Sequence, residues 1–131
     1  MLLEFRHQET GLAVVLEDDG RVGYAYLRGP EGEILGDVWL YNRVPTPEVA
    51  DWSDPSQAPF PNPKTHARPL DRPLPRSAED LSVQWTLDDQ LLLADVHLHG
   101  ALLARLSPGS APGWNVLATM IGPCAQPFPE D

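Results

Sequence analysis

The sequence predicts a mainly β fold, with a β-rich α+β fold as the alternative, built as an antiparallel meander of about seven strands in a sandwich or a curved sheet. Residues Leu81 to Leu87 alternate apolar and polar without exception, which is typical of a strand with one buried face. The densest run of aromatic and β-branched residues, 20–43, is typical of a β-hairpin with a turn at 29–32. Nine of the 15 prolines lie between Val44 and Arg76, and they exclude a helix or a central strand there.

Two further strands are predicted before that hairpin: Leu2–His7, where apolar and charged residues alternate, and Gly11–Leu16, a short apolar segment. Residues Glu17–Gly20 predict the next turn, since Asp tolerates positive φ and Gly prefers it. A four-residue turn in the hairpin would place Arg28 opposite Glu33, a favourable charge pair. The same register pairs Leu27 with Ile34 and Val22 with Trp39.

The predicted hairpin has two different faces. Small residues share one face, so we expect a bulky group to pack there; they are Gly23, Ala25 and Gly36. Aromatic residues share the other face; they are Tyr24, Tyr26 and Trp39.

Residues 44–76 are predicted to be a long irregular connection within a single domain that spans 1–131. Loops of this length inside a compact domain are commonly functional or disordered. Trp52, Phe60 and Leu70 are expected to anchor the loop to the body of the protein or, alternatively, to contact a partner.

After a helical turn at 77–80 and the strand at 81–87, the pattern predicts a hairpin of Leu91–Leu98 with Ala101–Leu106. A three-residue connection, 99–101, would place Asp95 opposite Arg105 and align the apolar residues of the two strands. Residues 107–113 form a loop in this interpretation. Apolar residues then recur at near-helical spacing before a Gly-Pro stop signal, which predicts a short C-terminal helix, with a strand as the alternative; they are Trp114, Leu117 and Ile121.

The chain carries nine Lys and Arg against 19 Asp and Glu, a formal net charge of -10. Such a surface repels nucleic-acid phosphates and anionic lipid, so neither nucleic acid nor a membrane is an expected direct partner, and it accelerates encounter with a basic protein. The alternative is that the acidity serves solubility alone. The amino-terminal residues lack the pattern of a secretory signal and Cys124 is the only cysteine, so we expect a cytoplasmic protein.

One strand carries a candidate metal-binding trio. Asp95, His97 and His99 are spaced at i, i+2 and i+4, which places them on one face of a strand and would allow a divalent ion to bind. The alternative, which we favour, is a solvent-facing strip in which Asp95 pairs with Arg105. No cofactor, metal or catalytic residue is therefore predicted. Cys124 has no neighbouring histidine in sequence, and the chain contains no nucleophile elbow or phosphate-binding glycine motif.

Candidate partner-binding residues fall into three groups. Asp51, Trp52 and Asp54 combine an aromatic residue with two acids in the long loop, which is the composition of an interaction hot spot for a basic surface. The residues that lead into that loop are Trp39, Tyr41 and Arg43, and ordinary core packing is the alternative for the two aromatic residues. Acids at predicted turns form the third group, with a purely structural role in the turn as the alternative; they are Asp18, Asp19, Asp88 and Asp89.

The segments Val38–Pro45 and Ala104–Trp114, together with the small size, acidity and lack of catalytic motifs, resemble the immunity proteins of bacterial interbacterial toxins. The toxins in question are the Rhs-type polymorphic toxins, which are delivered by type VI secretion. The resemblance implies a cytoplasmic protein that occludes the basic cleft of a cognate toxin, such as a nuclease or another RNA- or nucleotide-modifying enzyme. It transfers no functional residue. The alternatives are an adaptor or structural interaction domain, whose Pro-rich loop would be a ligand segment, and a small metal-dependent hydrolase that uses the Asp95 trio.

Overall fold

The computed structural model describes residues 1–43, 70, 72–88, 91–119 and 125–128. These residues form two four-stranded antiparallel sheets in which the strands neighbour one another in chain order, so the mainly β prediction is confirmed. The first sheet contains β1 (Leu2–Arg6), β2 (Ala13–Asp18), β3 (Val22–Arg28) and β4 (Ile34–Asn42). The second contains β5 (Leu81–Asp88), β6 (Leu91–Leu98), β7 (Ala101–Leu106) and β8 (Trp114–Asn115).

The β2–β3 turn forms as the acidic sequence predicts. Oδ1 of Asp18 accepts a hydrogen bond from the Gly20 N–H at 2.9 Å, and Oδ1 of Asp19 accepts from the N–H groups of Arg21 and Val22 at 2.9 and 3.0 Å. Gly20 has a φ of 89°, a conformation that residues with a Cβ rarely adopt. The two acids therefore have a structural role in closing this turn.

The β3–β4 hairpin forms, but its predicted register is wrong. Arg28 lies opposite Ile34 instead of Glu33, because the Gly29 N–H bonds to the Glu33 carbonyl and keeps Glu33 in the turn. Two β-bulges then shift the remaining pairs. Leu27 consequently lies opposite Gly36, Val22 opposite Asn42 and Tyr24 opposite Trp39.

The bulky group expected over the small-residue face is the ring of Tyr41. A Cβ added at Gly23 would lie 2.6 Å from the Tyr41 Cζ atom, which is too close for any larger residue. At Gly36 the same space is filled by the backbone of the loop at 107–113, since an added Cβ would lie 2.6 Å from the Ser110 carbonyl oxygen. Both glycines are therefore required for packing.

In the β6–β7 hairpin, the predicted pairing of Asp95 with Arg105 is confirmed. The turn is tighter than predicted, because His99 and Gly100, with φ of 53° and 79°, connect strands that resume at Ala101. A register shift between Val96 and His97 compensates for the shorter turn. The pairs farther from the turn therefore match the predicted alignment; they are Ala94 with Leu106, Asp95 with Arg105 and Val96 with Ala104.

The outer edge of β4 joins the first sheet to the second. The Asp37 N–H donates to the Ser110 carbonyl at 3.0 Å, and the Gly113 N–H donates back to the Asp37 carbonyl at 2.6 Å. Nδ2 of the fully buried Asn115 donates to the Trp39 and Leu40 carbonyls at 2.7 and 3.1 Å. One cluster of buried apolar side chains draws on both sheets and includes Val14, Leu16, Leu27, Val38, Val96, Leu98, Leu103 and Leu106.

The predicted C-terminal helix is wrong. In the described residues of this segment, 114–119 and 125–128, Trp114 and Asn115 form β8, and no helix is present. The Asn115 N–H donates to the Gln126 carbonyl at 2.9 Å, and its side chain bonds to β4, so tertiary hydrogen bonds hold the segment extended. Leu117 is buried in the core, while Ile121 lies outside the described residues.

Most of the proline-rich connection, 44–69 and 71, lies outside the described residues. Leu70 packs against the core, as the anchoring prediction expects. The predicted helical turn is confirmed as a single turn of 3-10 helix at Ala78–Asp80, where Oδ2 of Asp80 accepts from the Arg76 N–H at 2.8 Å. Within the described residues, no helix has the length and apolar character needed to cross a membrane.

Candidate functional site

Three of the predicted partner-binding residues, Asp18, Tyr41 and Arg43, form a largely buried network at one end of the first sheet. Oδ2 of Asp18 accepts hydrogen bonds from the Tyr41 hydroxyl at 2.7 Å and from Arg43 Nε at 2.5 Å. Burial alone would raise the pKa of Asp18, but the hydrogen bonds from Tyr41, Gly20 and Arg43 outweigh it and hold the pKa below its ordinary value. Asp18 therefore remains ionised inside this network.

The network connects the first sheet to the segment that precedes the second sheet. A second nitrogen of Arg43 donates to the Pro75 carbonyl at 2.7 Å, which ties the end of β4 to the segment that leads into β5. Burial and the neighbouring Asp18 carboxylate raise the pKa of Tyr41, so its hydroxyl stays protonated and donates. Tyr41 is 1% exposed and Trp39 is 3% exposed, with the Trp39 indole N–H bonded to Asn42. Both aromatic side chains therefore have the core position that was their alternative interpretation.

An open groove of about 540 Å³ lies beside this network. It is lined by Met1, Asp18, Asp19, Gly20, Arg43 and Arg76. Asp18 is paired with Arg43, and Asp19 is paired with Arg21 at 3.2 Å. Both acids of the groove are therefore paired with the chain's own arginines, whereas Arg76 in the same lining has no ion pair within the described residues.

The candidate metal trio does not converge. Arg105 binds both carboxylate oxygens of Asp95, at 2.6 and 3.0 Å, as in the alternative that we favoured. His99 lies in the turn and its Nε2 is 3.0 Å from the Pro73 carbonyl, whereas Nδ1 of His97 is 3.2 Å from the Asp95 carbonyl. Within the described residues, no group of three His, Cys, Asp or Glu side chains is arranged to hold a metal ion.

Most of the remaining candidate residues lie outside the part of the chain that the structure describes. Asp51, Trp52, Asp54, Asp89 and Cys124 lie outside the described residues, and Asp88 is the last residue of β5. The assignment of Asp51, Trp52, Asp54, Asp88 and Asp89 as partner-binding residues stays a prediction, and so does the expectation that Cys124 is not a catalytic nucleophile.

A further surface lies on the face of the first sheet that carries Tyr24 and Tyr26, where β4 also places Trp39 directly opposite Tyr24. We call it the tyrosine face and define it as Glu17, Tyr24, Tyr26 and Asp37. The rings of Tyr24 and Tyr26 stack with centroids 6.0 Å apart and planes inclined by 19°. Glu17 is directly opposite Tyr24 on β2, and Asp37 is directly opposite Tyr26 on β4, so a carboxylate flanks the pair on each side.

The tyrosine face is acidic and partly exposed. Both rings are half-buried, Glu17 is exposed and Asp37 is half-buried. Burial and the negative charges of Glu17, Asp37 and Asp19 raise the pKa of Tyr26. Burial likewise raises the pKa of Asp37. The carboxylates of this face therefore lie at a partly desolvated surface, where a nearby positive charge would stabilise their ionised form.

The sequence signal for this face was incomplete. Alternation correctly placed Tyr24 and Tyr26 on one side of the hairpin, but the predicted four-residue turn aligned Asp37 with Tyr24 instead of Tyr26. The flanking position of Glu17 depends on the β2–β3 register, which sequence alternation alone does not fix. A correct turn length at 29–33 was the missing information.

Six of the seven arginines in the described residues are engaged within the chain itself, and Arg76, which is exposed, is the exception. Four form ion pairs with a nearby carboxylate: Arg6 with Glu4, Arg21 with Asp19, Arg43 with Asp18 and Arg105 with Asp95. Arg28 and Arg72 donate to backbone carbonyls. By contrast, no ion pair within the described residues engages a further set of acids, namely Glu9, Glu17, Glu31, Glu33, Asp37 and Glu79.

Comparison with known proteins finds no significant match to a protein family, a curated protein or a solved structure.

Proposed function

We propose that this chain is a non-catalytic binding protein that acts in the cytoplasm as an immunity protein and neutralises a cognate basic toxin by covering its active-site cleft. The observation that supports this proposal best is the division of charges in the described residues. Six of the seven described arginines form ion pairs or hydrogen bonds to carbonyls within the chain, and the exposed Arg76 does neither. Six carboxylates have no ion pair within the described residues. Within the described residues, carboxylates therefore make up most of the charged side chains that have no ion pair.

A negative surface of this kind favours a cationic partner for a kinetic and an energetic reason. The summed field of a chain with net charge -10 increases the rate of encounter with a basic protein. Carboxylates without an internal partner also lose no existing ion pair when they bind arginine or lysine.

The partner class follows from the same argument. A nuclease, or another toxin that modifies RNA or nucleotides, needs a positive cleft to bind phosphate groups. An acidic protein that occupies such a cleft excludes the substrate without any chemistry of its own.

The proposal is tested by expressing the protein encoded next to this chain in a bacterium, with and without this chain. We expect the neighbour to stop growth alone, and we expect co-expression to restore growth and to give a complex that co-elutes in size-exclusion chromatography. Failure of this chain to restore growth to cells that the neighbour inhibits, or a neighbour without toxicity, would refute the immunity function.

A charge-dependent control separates electrostatic docking from other binding. The affinity of the complex is expected to fall steadily as NaCl increases from about 0.05 to about 0.5 M, because salt screens exposed charges over this range. An affinity that does not change with salt would show that the exposed carboxylates do not drive the association.

A further inference from the structure

We propose that β5 is a self-association edge, at which two copies of this chain join their second sheets by antiparallel pairing about a two-fold axis at Gln84. The strand forms one edge of the second sheet: it pairs with β6 on one side, and no described strand pairs with its other side. The inference goes beyond the proposed function and does not rest on it.

The backbone of β5 presents regularly spaced hydrogen-bonding groups at this open edge. The carbonyl of Asp80, one residue before the strand, accepts from the His99 N–H at 2.9 Å and so points toward β6. Backbone groups alternate in direction along an antiparallel strand, and β5 pairs with β6 without a register shift. Every second residue of β5 therefore directs its N–H and C=O groups away from β6; these residues are Leu81, Val83, Trp85 and Leu87.

The β5 edge lacks the features that commonly protect a sheet edge from pairing, which are charged side chains, proline, bulges and short strand length. Residues 81–87 contain no charged residue and no proline, and the eight-residue strand has no bulge against β6. The edge strand of the first sheet, β1, is by contrast five residues long and carries the ion pair of Glu4 with Arg6. Of these two edges, β5 is therefore the one suited to pair with another strand.

The sequence of β5 is self-complementary in the antiparallel register centred on Gln84. Val83 then lies opposite Trp85 of the second copy, and Leu81 lies opposite Leu87, so all the outward-pointing residues exchange backbone hydrogen bonds. Leu87 is 69% exposed, and it gains an apolar neighbour from the second copy in this register. Backbone groups and apolar side chains thus both match a second copy of the same strand.

Charge favours the same occupant. Two chains of net charge -10 repel each other, so self-association requires a contact at which few charges meet. The exposed polar side chains that meet in this register are uncharged, because Gln84 faces its own copy and Ser82 faces Thr86. Asp95, which lies opposite Gln84 on β6, is already paired with Arg105 at 2.6 Å.

The inference is tested by sedimentation velocity and amide hydrogen exchange of the full chain, between about 0.01 and about 1 mM. We expect a monomer–dimer equilibrium, and we expect exchange of the Val83 and Trp85 amides to slow at least about threefold as the dimer forms. The amides of β1 are the internal control, and their exchange should not depend on protein concentration.

Two charge-matched variants complete the test. Gln84→Lys places two ammonium groups opposite each other at the axis, whereas Thr119→Lys adds the same charge at an exposed position after β8, at the far edge of the sheet. We expect Q84K to weaken dimerisation about fivefold, because like charges directly opposite destabilise a strand pair. T119K should not weaken it, since either lysine lowers the net negative charge and so reduces the general repulsion.

Salt separates this association from the proposed function. Dimerisation should strengthen as NaCl increases, because salt screens the repulsion between two acidic chains, whereas a complex with a basic partner should weaken. A monomer at every concentration, protection at β1 instead of β5, or equal dimerisation of the two variants would overturn the inference. Protection of the β5 amides only in the presence of the protein encoded next to this chain would also overturn it, because the occupant would then be that protein. Growth restoration decides the proposed function separately, so either proposal can fail alone.

Discussion

Replacing Tyr41 with phenylalanine tests how much the hydrogen bonds of the Asp18 network stabilise the fold. The change removes a single hydroxyl, which donates to a 7% exposed carboxylate at 2.7 Å, and leaves the ring that covers Gly23 in place. A hydrogen bond to a charged group contributes about 1.5–3 kcal/mol. The Arg43 and Gly20 bonds to Asp18 remain in the variant, so we expect a loss of about 2 kcal/mol in the free energy of unfolding.

Urea denaturation measures this loss as a lower midpoint with an unchanged slope. The matched control is Tyr26→Phe, because Tyr26 is half-buried on the tyrosine face and no described residue bonds its hydroxyl. We expect the control to change stability by less than about 0.5 kcal/mol. Equal midpoints for Y41F and the wild-type protein would show that the hydrogen bond from the Tyr41 hydroxyl to Asp18 contributes no stability.

The pH dependence of the same variant checks the direction of the Asp18 pKa. The pKa of Asp18 is lower in the folded chain than its ordinary value of 3.8, so the unfolded chain takes up a proton first as the pH falls. The stabilisation is therefore complete above the ordinary pKa and is lost as the pH falls through the folded pKa. The stability difference between wild type and Y41F should narrow below about pH 4, and a difference that widens in acid would contradict the assignment.

Three further predictions concern the junction of the two sheets and the metal trio. Asn115→Leu should lower stability by about 3 kcal/mol in urea denaturation, because it leaves the buried Trp39 and Leu40 carbonyls without their donor; an unchanged midpoint would show that these bonds do not join the sheets. Gly36→Ala should cost about 1–3 kcal/mol by differential scanning calorimetry, since its Cβ would lie 2.6 Å from the Ser110 carbonyl oxygen, and a wild-type unfolding temperature would contradict the tight packing. Calorimetric titration with zinc should detect no stoichiometric site, because Arg105 occupies both oxygens of Asp95, and a tight 1:1 complex would revive the hydrolase alternative.

Sequence reasoning succeeded where the residue pattern of a single segment determines its secondary structure. Alternation located the strand that begins at Leu81, and acids followed by Gly20 located the β2–β3 turn, because both signals are local. The pairing of Asp95 with Arg105 was also predictable, since apolar alignment and charge favour the same register.

Sequence reasoning failed where contacts between residues far apart in the chain determine the local structure. The helical spacing of Trp114, Leu117 and Ile121 is a local signal, but hydrogen bonds from Asn115 to β4, 75 and 76 residues away, hold that segment extended. The register of β3 and β4 depends on two β-bulges, and the amino-acid composition of the strands does not indicate where these bulges occur. The tyrosine face was missed for the same reason, because its carboxylates come from two neighbouring strands.

The most direct measurement of the central claim is the association rate constant of this chain with the protein encoded beside it, measured by stopped flow at low and at physiological ionic strength. The account predicts an association that slows at least about tenfold as salt rises, and that slows further when Glu17 and Asp37 are both replaced by their amides. A rate constant that is independent of salt and of these two carboxylates would contradict docking to a cationic partner.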